Sequence, residues 1–277
     1  MRVVKARFSG FCFGVKRAVQ IVREKAREGE VFTLGPLIHN PPMIEKLKGE
    51  GIFPLSDTGN LRGKRVVVPS HGLSPDLLEK IKKEAEEVID ATCPFVERVR
   101  QTALSLEKEG YPVLIIGDRE HPEVKGILGS LKRAVGVVSS GKDIPDSLPS
   151  RIGVVSQTTV RKENVEEIVS LLRKRVKEVK YIPTICLATE KRQSALREIL
   201  PEVEVVVVVG GRNSANTRRL YEISLQSGKP AYWVERKEDI DREWFKGVKV
   251  VGITAGASTP DWLLEEVINY LESLNHG

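Results

Sequence analysis

The chain has 277 residues, of which 40% are hydrophobic, and it has no apolar run long enough to cross a bilayer and no signal-peptide layout in its first residues, so we expect a folded cytoplasmic protein. Its three cysteines are an odd number, which argues against a disulfide scaffold and for free thiols, metal ligands or a nucleophile. The net charge of +6 is a weak indication of a nucleic-acid or acidic protein partner, because the basic residues alternate with Glu on the predicted helices, as in LLEKIKKEAEE.

Each cysteine introduces the same sequence of elements. A short strand, VVKAR, precedes Cys12, which is followed by the helix-period segment FCFGVKRAVQIVREKAREG. Cys93 precedes PFVERVRQTALSLEKEG, and Cys186 precedes LATEKRQSALREIL, with apolar residues again three or four positions apart. Each thiol is therefore predicted at a helix N-terminus, where unpaired N–H groups and the helix dipole favour the thiolate.

A strand and a polar turn follow each of these helices. The strands are EVFTLG at 30–35, PVLIIG at 112–117 and EVEVVVVVG at 202–210, and the valine run predicts a strand buried on both faces of a parallel sheet. The turns HNPP, EHPE and NSAN each open another helix. His39, His121 and Asn213 in these turns lie 27, 28 and 27 residues after the three cysteines. Such regular offsets indicate an internal repeat.

A second strand and turn complete each repeat. RVVVPSHG ends near His71, RIGVVSQTT near Thr158 and VVGITAGAS near Ser258, and each leads into a charged amphipathic helix. The chain is therefore predicted to form three pseudo-threefold related α/β units with mostly parallel sheets: 13–93, 94–183 and 184–277. A strand is also expected before Cys93 and before Cys186, each after the last helix of the preceding unit. No helix precedes strand 1–12, which is expected to join the third unit and close a ring. Ligands of parallel sheets bind beyond the carboxyl ends of the strands, where these turns lie.

The turn residues indicate a polar pocket. Three thiolates brought together by the repeat fit either a Cys₃ zinc site with an open position or an iron–sulfur cluster held through three of its four irons. His39, His71 and His121, together with helix N-termini, favour a phosphate-bearing anion. Glu123 is the only obvious carboxylate among these groups and is better explained as a proton donor than as an anion ligand.

Nine short motifs, in order along nearly the whole chain, carry a family resemblance: GFCFGVKRA, GPLIHN, SHG, ATCP, HPEV, SQTT, TICLAT, NSAN and GAS. With them the chain resembles the 4-hydroxy-3-methylbut-2-enyl diphosphate reductases, which are iron–sulfur oxidoreductases of non-mevalonate isoprene biosynthesis. The resemblance implies three α/β units around one central 4Fe–4S cluster per chain, held by Cys12, Cys93 and Cys186.

The resemblance also implies a set of site residues. Catalysis is assigned to Glu123, Thr158 and His121, with Glu123 and Thr158 forming a proton relay, and Thr159 and Thr189 match motif positions with less direct roles. One departure is NSAN in place of the common NSSN, but the Ala215 N–H can still meet an anion, so activity is expected to be retained. The implied substrate-binding residues are His39, His71, His121, Thr158, Ser214, Ala215, Asn216 and Ser258.

The implied reaction is a two-electron reductive dehydroxylation of 4-hydroxy-3-methylbut-2-enyl diphosphate to isopentenyl and dimethylallyl diphosphate, at the iron that lacks a cysteine. Ferredoxin or flavodoxin would donate the electrons, and the protein would be a monomer or homodimer with no membrane or nucleic-acid partner. From the residues alone, a Cys₃ zinc hydrolase of a phosphorylated metabolite is the alternative enzyme. A nucleic-acid-binding protein is disfavoured, because only 5% of residues are aromatic and no basic stripe contains them.

Overall fold

The computed structural model describes residues 1–274, so His276 and the end of the third predicted unit lie outside the described residues. This part of the chain contains twelve strands and nine α-helices. The strands are β1 (Arg2–Lys5), β2 (Val31–Leu34), β3 (Ile52–Leu55), β4 (Arg65–Val68), β5 (Glu87–Asp90), β6 (Val113–Ile116), β7 (Ala134–Val138), β8 (Arg151–Ser156), β9 (Glu178–Tyr181), β10 (Val205–Val209), β11 (Ala231–Val234) and β12 (Val250–Ala255). The helices are α1 (Phe13–Ala26), α2 (Pro41–Gly49), α3 (Pro75–Glu84), α4 (Pro94–Lys108), α5 (Pro122–Leu128), α6 (Lys162–Arg175), α7 (Leu187–Ile199), α8 (Ala215–Gln226) and α9 (Asp261–Ser273).

The strands form three four-stranded sheets with one common order. Sheet 1 has the order β3-β2-β4-β5, sheet 2 has β7-β6-β8-β9, and sheet 3 has β11-β10-β12-β1. In sheet 3, β1 takes the place that β5 and β9 take in the other two sheets. It pairs in parallel with β12, with Arg2 opposite Val250 and Lys5 opposite Ile253. The prediction of an α/β fold built from three related, mostly parallel sheets is confirmed.

The central valine strand β10 is buried on both faces, as predicted. Val205, Val207 and Val209 pack in one apolar cluster with residues of α9, and Val206 and Val208 pack in another with residues of α7 and α8. A strand covered by helices on both sides has no reason to alternate apolar with polar residues. This explains the unbroken valine run.

The chain divides into two compact units. The first comprises Met1–Lys16, Ile38–Ile52 and Leu187–Gly277, and the second comprises Arg17–Leu37 and Phe53–Cys186. The first contains sheet 3, and the second contains sheets 1 and 2 apart from the first residue of β3. The boundaries 13–93, 94–183 and 184–277 stay a prediction.

One strand in each sheet was not predicted from the sequence. These are β3, β7 and β11, which all lie at a sheet edge. Pro54 in β3 has no N–H to donate, and Gly136 in β7 has a φ of +152°, where the register of the pairing also shifts nearby. Such short, interrupted edge strands give only a weak alternation signal.

The helices of residues 1–274 are each too short or too polar to cross a membrane.

The burial of β10 generates a stability prediction. Val207→Thr and Val208→Thr should each lower the free energy of unfolding by about 1 to 3 kcal/mol, because each places a hydroxyl in an apolar cluster. Val3→Thr, on the partly exposed edge strand β1, is the matched control and should cost much less. Urea denaturation measures all three, and equal losses would contradict the two-sided burial.

Candidate active site

The three cysteines lie at helix N-termini, as predicted. Cys12 directly precedes α1, Cys93 precedes α4 and Cys186 precedes α7. All three are free thiols with half-buried side chains. The sulfur of Cys12 also accepts the backbone N–H of Val15 at 3.5 Å, which is the position of a helix cap.

Each cysteine is also tied to the neighbouring strand by its own peptide N–H. The acceptor is in every case the carbonyl of the residue two positions beyond the end of β4, β8 or β12. The bonds run from Cys12 to Ala257 (3.0 Å), from Cys93 to Ser70 (2.9 Å) and from Cys186 to Thr158 (3.0 Å). The repeat seen in the sequence is therefore repeated in the hydrogen bonds of the three cysteine segments.

Two buried or half-buried arginines that the sequence analysis missed hold cysteine segments in place. Arg17 donates to the carbonyl of Thr92, next to Cys93, at 3.0 Å. Arg192, which is 6% exposed, donates to the carbonyl of Gly10, two residues before Cys12, at 2.6 Å. Arg192 occupies the buried face of α7 together with Leu196 and Ile199, so its position in the apolar pattern is the signal that could have revealed it.

Glu123 is buried beside Thr158. Its carboxylate accepts the backbone N–H of Thr158 at Oε1 and the Thr158 hydroxyl at Oε2, both at 2.7 Å. Its side chain is almost wholly removed from water, and so is that of Thr158. Since the Thr158 carbonyl also accepts the Cys186 N–H, one residue contacts both the acid and a cysteine segment.

Burial changes the acidity of this carboxyl group. Desolvation raises the pKa of Glu123 from 4.5 to about 7, against the lowering effect of the two hydrogen bonds from Thr158. The group is therefore partly protonated near neutral pH, which is the range in which a carboxylic acid serves as a general acid.

His121 caps the short helix that carries Glu123. Its Nδ1 accepts the backbone N–H of Glu123 at 3.2 Å. An accepting Nδ1 carries no proton, so the neutral ring has its N–H at Nε2. His121 is thereby the N-cap of the helix that carries Glu123.

A cavity of about 340 Å³ lies beside Glu123 in the second compact unit. His71 and Glu123 contribute to its wall together with residues of α3 and α4. His71 and Glu123, which the sequence placed in one pocket, therefore line one cavity. Its titratable lining residues are His71, Glu79, Asp90, Glu97, Arg100 and Glu123.

In the first compact unit, the segment around His39 is fixed by close backbone contacts. Burial lowers the pKa of His39, so the imidazole is neutral near pH 7. The Ser258 hydroxyl donates to the His39 carbonyl at 3.0 Å. A Cβ on Gly211 would lie 2.3 Å from that carbonyl oxygen, so only glycine fits there. The Ser258 hydroxyl therefore already donates its hydrogen bond within the protein. To donate to a diphosphate, it has to give up the bond to the His39 carbonyl.

The NSAN turn opens helix α8. The Ser214 hydroxyl accepts the N–H of Thr217 at 3.2 Å as the cap of this helix, and Ala215 is its first residue. Asn216 is buried; its Oδ1 accepts the Ala257 N–H at 3.0 Å, while its Nδ2 has no hydrogen-bond partner in the described structure. A buried amide donor without a partner is costly unless a ligand completes it.

The predicted metal ligands belong to different compact units: Cys12 to the first, Cys93 and Cys186 to the second. Within residues 1–274, no three His, Cys, Asp or Glu side chains form a group that could hold a metal ion. A metal site shared by the three cysteines stays a prediction.

Comparison with known proteins decides the family. The sequence model described as LytB protein matches residues 3–272. The chain belongs to the LytB protein family. It is 45% identical over 281 residues to the 4-hydroxy-3-methylbut-2-enyl diphosphate reductase of Aquifex aeolicus (strain VF5), covering 99% of this chain and 97% of that protein. The protein of the same name from Citrifermentans bemidjiense is 43% identical, with 99% and 98% covered.

Solved structures of similar proteins agree with this result. A structure of (E)-4-hydroxy-3-methyl-but-2-enyl diphosphate reductase, described as the terminal enzyme of the non-mevalonate pathway, is 45% identical with a TM-score of 0.73, and the match covers 99% of this chain and all of that one. A reductase structure from Plasmodium falciparum is 29% identical with a TM-score of 0.91, covering 98% and 87%. The resemblance indicated by the motifs is confirmed, and with it the prediction that this LytB family member is an enzyme.

The raised pKa of Glu123 predicts a pH-dependent stability. The folded state binds a proton more tightly than the unfolded state, so this group's stabilising contribution is full below pH 4.5 and is lost as the pH rises through about 7, a loss of about 3 kcal/mol. Unfolding of the metal-free chain by urea at pH 5 and pH 8 measures it. Glu123→Gln should remove this pH dependence, whereas Glu120→Gln, at an exposed carboxylate three residues earlier, should keep it. Equal pH profiles for all three proteins would contradict the buried, partly protonated acid.

Proposed function

We propose that this LytB family member reduces 4-hydroxy-3-methylbut-2-enyl diphosphate to isopentenyl diphosphate and dimethylallyl diphosphate. The substrate takes up two electrons and two protons, its allylic C–O bond breaks, and the oxygen leaves as water. The observation that carries the proposal is the buried Glu123 carboxyl, which is held by Thr158 and partly protonated near pH 7. The names of the similar proteins supply the substrate class.

We propose that Cys12, Cys93 and Cys186 hold a 4Fe–4S cluster. The donor chemistry fits, since all three are free thiols at helix N-termini, and thiolates are the ligands of such clusters. When bound, the cluster would supply electrons one at a time and a Lewis-acidic iron that lacks a cysteine. The iron and zinc content of anaerobically purified protein tests this assignment, because one zinc per chain would favour the hydrolase instead.

The remaining residues are proposed to bind the diphosphate. The Ser214 oxygen accepts a helix N–H, so its own proton is left for an anion, and the Asn216 Nδ2 and the first N–H groups of α8 point to the same use. His39 is neutral and donates without adding charge. The backbone N–H of Ala215 is proposed to bind the anion in place of the hydroxyl that the common NSSN motif has there. His71, His121, Thr158 and Ser258 complete the proposed set.

Glu123 is the proposed proton donor. Each of its two oxygens already accepts one hydrogen bond from Thr158, which fixes the plane of the carboxyl group. When the carboxyl is protonated, its Oε2 can donate to the Thr158 hydroxyl, so the two groups are proposed to act as a proton relay to the departing hydroxyl of the substrate. His121, which caps the same helix through its Nδ1, is proposed to donate from Nε2 to the same substrate.

The reaction itself is tested by anaerobic turnover of the allylic diphosphate with reduced methyl viologen. Mass spectrometry should detect both five-carbon diphosphate isomers and the consumption of two electrons per product. Release of inorganic phosphate without reduction would overturn the proposal. The compartment proposed is the cytoplasm, with ferredoxin or flavodoxin as the electron donor.

Replacing any one of Cys12, Cys93 and Cys186 by Ser should abolish turnover and most of the bound iron, because a cluster with one iron already lacking a protein ligand has none to spare. Iron analysis and absorbance of anaerobic protein provide the measurement. If two of the three variants keep wild-type iron and rate, the shared cluster is wrong.

Glu123→Gln should lower the turnover number by roughly two to four orders of magnitude, the usual size of a general acid–base contribution, and leave substrate affinity nearly unchanged. Glu120→Gln is the matched control, since Glu120 is exposed and pairs with Lys125 at 2.7 Å. Turnover within a few-fold of wild type, with weaker substrate binding, would instead make Glu123 a positioning residue.

A further inference from the structure

Large hydrophobic side chains are exposed near two of the cysteines. Four such side chains stand out in residues 1–274: Phe8, Phe13, Leu187 and Leu225, with 38%, 61%, 60% and 48% of their surface exposed. Phe13 directly follows Cys12, Leu187 directly follows Cys186, and Phe8 precedes Cys12 by four residues. Phe8, Phe13 and Leu187 all belong to the first compact unit. A single exposed side chain such as Leu225 is ordinary, but three exposed side chains close to cysteines in the chain need an explanation.

Two cations cover Phe8. The Arg7 guanidinium lies 5.4 Å and the Lys191 ammonium 5.5 Å from the centre of the Phe8 ring. Lys191 is four residues after Leu187 on α7, so the two share one face of that helix. Arg7 also forms an exposed ion pair with Glu198 at 3.0 Å. We call Arg7, Phe8, Phe13, Leu187 and Lys191 the Phe8 surface.

We propose that the Phe8 surface docks a small acidic one-electron carrier protein, an inference that rests on the proposed reductase function. That reaction consumes two electrons that neither the substrate nor the side chains supply. Exposed apolar groups with charged neighbours are typical of protein interaction sites, and the Arg7 and Lys191 cations are complementary to carboxylates.

The position and charge of this surface suit a transient complex. Phe13 and Leu187 are joined directly to two of the proposed cluster ligands, so a carrier seated on them approaches the cluster by a short path. The net charge of +6 attracts an acidic protein at a distance and accelerates the encounter. A few aromatic and apolar contacts then give the small, weak interface that electron-transfer partners use.

The test uses variants away from the residues next to the cysteines, which are left intact. Lys191→Glu reverses one charge, and Phe8→Ser removes the aromatic ring. Lys46→Glu and Leu225→Ser are the matched controls, because Lys46 lies over the Trp262 ring at 5.0 Å and Leu225 is an exposed apolar residue of α8. The probe is a small acidic ferredoxin: oxidised for calorimetric titration at low and at physiological salt, and reduced for turnover.

Lys191→Glu and Phe8→Ser should each weaken ferredoxin binding and raise the KM for ferredoxin by about five- to tenfold, the effect on Lys191→Glu being larger at low salt. Turnover with reduced methyl viologen, a small dye that needs no docking surface, should stay within twofold of wild type. The two controls should match wild type in every measurement.

Unchanged ferredoxin binding in both surface variants, or an equal loss in the controls, would overturn the docking proposal. So would binding of anionic vesicles or random duplex DNA with the same sensitivity to Lys191→Glu, because that would indicate a general polyanion surface. A failure of the proposed function is distinguishable: wild-type protein would then not turn over with the dye, while the ferredoxin titration would still decide the docking.

Discussion

The arrangement of the three cysteine segments depends on one type of backbone hydrogen bond, which is found once in each segment. The peptide N–H of each cysteine donates to a carbonyl just beyond the end of the adjacent strand, in the same place in all three sheets. This bond extends the parallel pairing past the last regular residue and fixes where the helix begins. A shift of register in any sheet would therefore move a thiol along with a core face. The position of each thiol is therefore coupled to the register of the valine-rich strands.

Thr158 connects this framework to the acid. Its N–H and hydroxyl are both donated to Glu123, and its carbonyl receives the bond from Cys186. Desolvation of a carboxylate is costly, and the two hydrogen bonds from Thr158 offset only part of that cost, which is why the proton is retained near neutral pH. A change at the cysteine segment would reach the acid through a single residue.

Much of this could be read from the sequence, since it follows from local patterns. The spacing from each cysteine to the two polar turns that follow it repeats three times along the chain. It predicts the three sheets because all three have the same order of strands. Glu123 could be singled out as the one carboxylate among the turn residues, but the sequence did not reveal that Glu79, Asp90 and Glu97 also line the cavity beside it. The pKa of Glu123 could not be predicted, because that value depends on burial by elements distant in the chain.

Other features escaped sequence reasoning for the same reason. Arg192 donates to the Gly10 carbonyl, 182 positions away, as well as to the nearby Ala188 carbonyl, and Ser258 donates to a carbonyl 219 positions away. No local pattern points to these distant partners. The edge strands β3, β7 and β11 were missed because a strand paired on one side needs neither a continuous apolar run nor strict alternation. The candidate functional residues could be proposed from short sequence motifs, whereas the residues that hold them in place are distant in the chain.

The pairing of β1 with β12 has a consequence for how the chain is made. Of the described strands β1 comes first in the chain, yet its partner among them is β12, which lies opposite it from Val250 to Ile253 and is the last of them to be synthesised. Cys12 gains its carbonyl partner at Ala257 only after that point. Cys12 therefore stays without this backbone partner until the segment after β12 has been synthesised. Sheet 3 can close only over a long loop, which is the slow kind of contact in folding.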